Sequence, residues 1–174
     1  MTPSFDAVDW PADADAATEF LAAHEWPFHG SSRLTVDDAA RVALAGDDLA
    51  SFWVGVDGRR VGLIRVFDLD DAGEGSPLFD LRIATDHRGR GLGRAAVSWL
   101  TNHLFTSIPA LHRIEATTRH DNLAMQRVFD HCGYRLEGRF VEAWSSADGT
   151  RSDTLVYAIL RREWLVGARQ DGAS

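Results

Sequence analysis

The amino-acid sequence predicts a mixed α/β sheet with helices on both of its faces. Three observations carry that prediction. Two runs rich in Val, Ile, Phe and Trp, Leu49–Val56 and Val61–Phe67, flank Asp57-Gly58-Arg59-Arg60 and read as a hairpin. After Gly91 the apolar residues Leu92, Ala96, Trp99, Leu100 and Leu104 recur at helical spacing. Near the end, Tyr134–Ser145 and Thr154–Leu160 flank Asp148-Gly149 as a second hairpin.

The elements follow in order. Asp13–Ala23 is alanine-rich, carries Phe20 and Leu21, and predicts a first helix. Thr35-Val36-Asp37-Asp38 resembles a capping box, with Asp where Glu is usual. The helix it opens would stop at Gly46, a residue suited to a left-handed C-terminal cap. The first hairpin comes next, and a glycine- and acid-rich loop, Asp68–Pro77, leads to a third strand, Leu78–Ala84. After the Gly91 helix come a strand over Leu111–Thr118 and a helix over Asn122–Cys132, which Gly133 ends before the closing hairpin. No repeat or low-complexity linker is visible, so residues 1–174 read as one domain. Its tail is expected to be loose from about residue 166, most plainly at Gln170–Ser174.

Bulk properties narrow the function. A chain of 174 residues can bury about two-thirds of its unfolded surface, and 45% hydrophobic with 25% charged residues is ordinary for a globular protein. The acidic N-terminal stretch lacks a basic region followed by an apolar core, so no signal peptide is expected. No apolar run approaches the ~20 residues that cross a bilayer, so no membrane partner is expected either. Cys132 is the single cysteine and can form no internal disulfide. Together these readings point to the cytoplasm. A net charge of −8 argues against a nucleic-acid partner and favours cationic ones. Yet Arg82, Arg88, Arg90 and Arg94 crowd together, either as a solvated surface or as the seat of an anionic ligand. The histidines show no ligand spacing, so no metal site is expected.

The most informative segment runs from Asp80 to Arg94: a strand ends, glycines alternate, and a helix begins. Glycine lets a ligand approach the main chain, and the first helical N–H groups have no internal partners. Phosphate suits such a site. Arg88, Arg90 and Arg94 could add charge-assisted hydrogen bonds. A P-loop needs a Lys after its glycines, and none follows here. A dinucleotide fingerprint needs G-x-G-x-x-G early in the fold, but Gly89, Gly91 and Gly93 have other spacing and follow a meander. R-x-x-G-x-G is met by Arg88, Gly91 and Gly93. An ordinary strand-to-helix turn is the bland alternative.

This segment resembles the coenzyme A motif of the GNAT superfamily of N-acetyltransferases. The resemblance continues through R-I-E-A at Arg113–Ala116, D-N at Asp121-Asn122, and a helix ending in Gly133-Tyr134. Gly149-Thr150-Arg151-Ser152-Asp153, Tyr157 and Glu163-Trp164 are also similar to its RimJ/RimL-like branch. The similarity spans about Leu78–Trp164 and is weak before it. It implies a GNAT-like mixed, mostly antiparallel central sheet flanked by helices, with strands splayed around the cofactor. It implies acetyl transfer from acetyl-CoA to a primary amine by direct attack. The acceptor would be a protein N-terminus, a small amine or an amino-bearing antibiotic, and sheet-edge homodimers occur in the superfamily. Two other classes remain open: a non-catalytic acyl-CoA-binding or sensing module, and a nucleotide-binding protein using the same loop.

Carried over residue by residue, the backbone of Ile83 and Ala84 would pair with pantetheine. The N–H groups of Gly89, Arg90, Gly91, Leu92, Gly93 and Arg94 would cradle the pyrophosphate beside the Arg88 side chain. Ile83's N–H would polarise the thioester carbonyl. Asn122 matches the asparagine that binds the cofactor arm, although Asp-Asn also favours a helix N-cap. An alkylamine is mostly protonated at neutral pH, so a base is needed. Glu115 and Asp80 are the candidates, with a water chain or an Asp80–Arg82 ion pair as alternatives. Where many relatives carry a Tyr acid this chain has Phe129, and where the branch often has Ser it has Met125. Met125, Val128, Phe129 and Cys132 then read as a core stripe, with no side-chain acid. His24, Trp26, Phe28 and His29 form either an aromatic acceptor wall or a cap on the core.

Overall fold

The computed structural model describes residues 2–43, 50–69 and 76–171, the side chains of 168–171 excepted. Strand β1 is Ser4–Ala7, followed by helices α1 (Ala14–Ala23) and α2 (Val36–Ala43). A meander β2 (Ala50–Val56), β3 (Arg59–Phe67) and β4 (Leu78–Ile83) leads through a short 3-10 turn, Thr85–His87, to helix α3 (Leu92–Ser107). Strand β5 (Arg113–Arg119), helix α4 (Leu123–His131), strands β6 (Arg135–Ser145) and β7 (Arg151–Leu160) and helix α5 (Arg161–Asp171) complete the chain.

Local chemistry explains most of these elements. The Thr35 hydroxyl oxygen accepts the Asp38 N–H at 3.1 Å, the first bond of the predicted capping box, while the Asp38 carboxylate takes the Thr35 hydroxyl at 2.7 Å rather than the Thr35 backbone N–H. Asp57 and Gly58 turn between β2 and β3 with φ of 50° and 75°, the left-handed pair of a tight hairpin. Asn122 caps α4, and Gly133 follows it at φ 80°. The Gly46 cap, the Leu49 start of a strand, residues 70–75 of the acidic loop and 172–174 of the tail lie outside the described residues.

Two elements depart from the sequence reading. β1 pairs antiparallel with β2; Ser4-Phe5-Asp6-Ala7 alternates polar and apolar residues over only four positions, and Phe5 anchors it by stacking on Trp99 at 4.6 Å. The tail expected to be loose from about residue 166 is helical to Asp171. Its first turn is fixed by the Leu160 N–H, which donates to Glu163 at 2.9 Å, and by Trp164 against Phe105.

The strands form two antiparallel sheets, β1-β2-β3-β4 and β5-β7-β6. They meet where the Glu115 N–H donates to the Pro77 carbonyl at 3.1 Å. Beyond that bond β4 pairs with β3 and β5 with β7, so one sheet splits along a seam. Helix α3 packs Leu92, Ala96, Val97, Leu100 and Leu104 on the face formed by Val54, Ile64, Val66, Ile114 and Tyr157. Helices α1 and α2 pack Ala17, Phe20, Leu21 and Ala39 on the other face, against Trp53, Leu63 and Ala84. Each large side chain so buried contributes about 1.5–3 kcal/mol. Two cores therefore hold the split open from opposite sides.

Candidate active site

The split encloses a cavity of about 400 Å³ at the C-terminal ends of β4 and β5. One wall is the glycine loop and the start of α3, the opposite wall is Phe28 and His29, and Asn122 and Met125 close the α4 side. Ligands in α/β folds commonly bind at the C-terminal ends of strands.

The loop is built for an anion. Gly89 and Gly91 have φ of 71° and 83°, a conformation L side chains rarely adopt, and α3 starts directly after them without a side-chain cap. The first N–H groups of a sixteen-residue helix are therefore left for a ligand, reinforced by the helix dipole. Arg94 lines the cavity and is exposed, so its guanidinium can reach a phosphate. Arg90 is exposed but is not part of the lining.

Arg88 behaves differently from the expectation. Its Nε donates to the Ile83 carbonyl at 2.8 Å, and a terminal nitrogen donates to the Glu25 carbonyl. The guanidinium also lies over Trp26, 5.5 Å from the ring centroid. Arg88 thus clamps the end of β4 to the segment after α1, and those bonds compete with any phosphate.

Backbone alternation decides which β4 groups face the split. The Ala84 N–H donates to the Val61 carbonyl at 2.9 Å, and its carbonyl accepts the His87 N–H at 2.9 Å. Pairing of Ala84's backbone with pantetheine is therefore corrected: both groups are already engaged. Neighbouring residues in a ladder turn to opposite sides, so Ile83, and Leu81 two before it, direct their N–H groups into the split. Leu81, which the sequence reading passed over, was legible as Ile83's same-side neighbour two residues away.

On the α1 side of β4, Asp80 is locked between two partners. Its Oδ1 lies 2.8 Å from Nε2 of His29, and its Oδ2 accepts Arg82 Nε at 2.9 Å. Burial pushes its carboxyl up, but the His29 ring and the Arg82 guanidinium outweigh burial and hold it well below the usual carboxylate range. A carboxylate so stabilised accepts protons poorly, which counts against Asp80 as the base itself. Arg82 is buried, and its guanidinium lies 5.3 Å from the Trp26 ring centroid.

The other candidates divide. Trp26 borders the cavity, but its indole is only 1% exposed and donates to the Leu21 carbonyl at 2.8 Å, so it belongs to the core beneath the wall. Phe28 lines the cavity under the Arg119 guanidinium, 5.2 Å away. Glu115 shares the α1-side face with Asp80, because Ile114 and Ala116 point into the α3 core. It stands at the closed end of the seam, bonded to Arg113 at 2.7 Å, and does not line the cavity. Its assignment as base is thus opposed by both position and partner.

Asn122 accepts the Met125 N–H at 3.2 Å and donates to Thr118 Oγ1 at 3.1 Å, so its cap role is realised while it edges the cavity. Phe129 is buried against Tyr134 and Tyr157, with Met125, Val128 and Cys132 around the same core, as the stripe predicts. Among the described residues the lining holds no Ser, Thr, Tyr or Cys, so no hydroxyl or thiol acid faces the cavity. His87 and Arg127 also line it. Neither carried a sequence signal beyond lying next to the loop or on α4.

An uncapped helix start opening onto a cleft between splayed strands suits a ligand with a phosphate at the loop and an arm laid between the strands. The sequence model of the acetyltransferase (GNAT) family matches residues 15–134. Spermidine N-acetyltransferase from Vibrio cholerae, solved with CoA and spermine, superposes with a TM-score of 0.73 at 20% identity, covering 94% of this chain and 98% of that one. AAC(6')-Ib in complex with ribostamycin and coenzyme A gives 0.73 at 19% identity, covering 94% and 96%. RimJ of Mycobacterium smegmatis in complex with CoA-disulfide gives 0.72 at 26% identity, covering 92% and 83%. No curated protein sequence matches the chain. The chain belongs to the GNAT acetyltransferase family. It is a CoA-dependent enzyme that transfers an acetyl group from acetyl-CoA to an amine. Among the described residues no helix is long and apolar enough to cross a membrane.

Proposed function

We propose that this acetyltransferase acts on a primary amine of a protein N-terminus or a small molecule, as a member of the RimJ/RimL-like branch. One observation carries the reading: a single cavity runs from the glycine loop to Phe28 and His29, so donor and acceptor meet in one cleft. The 26% identity to a RimJ protein and the Arg113–Tyr134 pattern support the branch.

In this reading the N–H groups from Gly89 to Arg94 hold the pyrophosphate and Arg94 adds charge. Leu81 and Ile83 present backbone N–H groups to the pantetheine arm, and Asn122 flanks it. Ile83's N–H faces the oxygen that becomes negative as the amine attacks. The leaving thiolate needs no side-chain acid, because a thiol with pKa near ~8.5 is a good leaving group. Residues 1–174 act as one domain in the cytoplasm. Two copies pair along the β6 edge, where Phe140 and Val141 are 58% and 77% exposed.

Binding of CoA without binding of ATP or NAD, followed by thiol release from acetyl-CoA across peptides, polyamines and aminoglycosides, tests the reading. Release stimulated by a peptide's α-amino group or a small amine is expected. Stimulation by aminoglycosides alone would overturn the branch, and a monomeric mass by light scattering would overturn the pairing. Glu115→Gln should keep its activity, since its carboxylate is tied to Arg113 at the closed end of the seam.

A further inference from the structure

The α1-side wall of the cavity holds a charge arrangement that cofactor binding does not use. His29 lies in the segment between α1 and α2, and Asp80 lies on β4, far from it in sequence. Asp80 engages His29 Nε2 with one oxygen, at 2.8 Å, and Arg82 with the other, at 2.9 Å. An ionised carboxylate can only accept, so Nε2 carries a proton, and in the neutral ring Nδ1 is then the nitrogen with the lone pair. Nδ1 is buried and has no hydrogen-bond partner among the described residues, although the ring lines the cavity. Buried polar atoms without partners are uncommon, and the ring that carries this one lines the space a reacting amine must enter, so a small turn of the ring brings Nδ1 to it.

The main chain that carries the ring is also fixed. His29 N–H donates to the Trp26 carbonyl at 3.0 Å, and the next residue, Gly30, accepts the Ala147 N–H at 2.7 Å. The side chains around it are Asp80 and Arg82 from β4, Arg65 opposite Asp80 on β3, and Trp26, which carries the Arg88 guanidinium. His24 packs on the far side of Trp26, and His87 lines the cavity beside the loop. The guanidiniums keep their charge at all working pH values. Asp80 is held as a carboxylate by a donor on each oxygen, so it takes a proton only at the expense of that arrangement. The imidazole can take one at Nδ1.

We propose that His29 is the general base of the acetyl transfer and that Asp80 is its positioning residue. Nδ1 takes one proton from the acceptor's ammonium group, directly or through one water. The freed nitrogen pair forms the C–N bond to the thioester carbon, and the carbonyl π pair moves onto the oxygen facing Ile83 N–H. Return of that pair breaks the C–S bond. The second ammonium proton passes to the thiolate, leaving the amide and free CoA thiol, and the imidazolium releases its proton to solvent.

The inference rests on the cleft being the acetyl-transfer site, so the wild-type enzyme is measured first. Spermidine, a short peptide with a free α-amino group and kanamycin serve as probe amines; if none stimulates thiol release, the reading of the cleft itself fails. With the best of them, His29→Gln should bind CoA like wild type by calorimetry while kcat falls about 10²–10⁴-fold. Its pH–rate profile should lose the acidic limb that the wild-type enzyme shows. Added imidazole should restore activity to His29→Ala but not to Asp80→Asn, which should keep CoA affinity and shift the limb. A His29→Gln enzyme with wild-type kcat and an unchanged limb would overturn the proposal. Should the His29 variants fail to bind CoA, an unshifted profile in Asp80→Asn would overturn it equally.

Discussion

Replacing Gly91 by Ala separates backbone strain from ligand contact. A Cβ built there meets nothing within 4 Å, so the free protein suffers no clash. The backbone, however, stands at φ 83°, where an L side chain adds about 1–2 kcal/mol of strain. In a domain of this size each kcal/mol lowers Tm by roughly 2–4 °C, so Gly91→Ala should melt about 2–8 °C below wild type. The same methyl would stand at the mouth of the α3 N-terminus, where the pyrophosphate is expected. Loss of one hydrogen bond to a charged group, about 1.5–3 kcal/mol, should weaken CoA at least about tenfold. Gly93→Ala is the matched control. Its Cβ would sit 3.5 Å from Val128 Cγ2, an ordinary contact, and a helical Ala is better than Gly by about 1 kcal/mol. That variant should melt at or above wild type and still bind CoA poorly. Thermal melts without ligand and calorimetric CoA titrations provide both readouts. If both variants bind CoA within about twofold of wild type, the loop does not hold the pyrophosphate. If Gly91→Ala melts with wild type, the strain argument is wrong.

Other expectations follow from single contacts. Arg88→Ala removes donors to the carbonyls of Ile83 and Glu25 and should lower stability by about 2–4 kcal/mol in urea unfolding. The salt dependence of CoA binding should survive that change, whereas Arg94→Ala should flatten it. Because the folded state lowers the Asp80 carboxyl, its contribution is fully present above the unfolded value near ~3.9 and is lost as pH falls through the lower folded value. The stability gap between wild type and Asp80→Asn, measured by urea unfolding, should therefore narrow as pH falls below about 4. Arg161 donates to the carbonyls of Leu111 and Ile108 at 2.6 and 2.7 Å, just past the end of α3. Arg161→Ala should cost about 1.5–3 kcal/mol by the same measurement, with CoA binding intact.

The legible parts of this protein were those fixed by neighbours in sequence. The Asp57-Gly58 turn, the Thr35–Asp38 cap and the glycine loop each depend on a few consecutive residues, and each stands where the sequence puts it. The illegible parts depend on partners far along the chain. An arginine announces its charge but not all its partners: Arg88 next to the loop reads as a phosphate ligand, and while it lines the cavity it also gives donors to two carbonyls that the sequence does not reveal. Asp80 reads as a base until His29, from another layer of the fold, is placed against it. Glu115 shows the same limit, since strand alternation gives its face but not its height along the seam. β1 escaped notice because its alternation spans only four residues, and what anchors it is a stack of Phe5 on the distant Trp99.

The bond from Ala147 to Gly30 joins the last hairpin to the wall that carries His29. A chain emerging from the ribosome N-terminus first would have the glycine loop and α3 available well before β6 and β7 exist. The donor pocket cannot close that early, because β5, the far side of the split, pairs in its sheet with β7, and α3 packs on Tyr157 of that same strand. The wall facing the acceptor is likewise braced only when the final hairpin has docked, so both halves of the cleft wait for the last strands to be made.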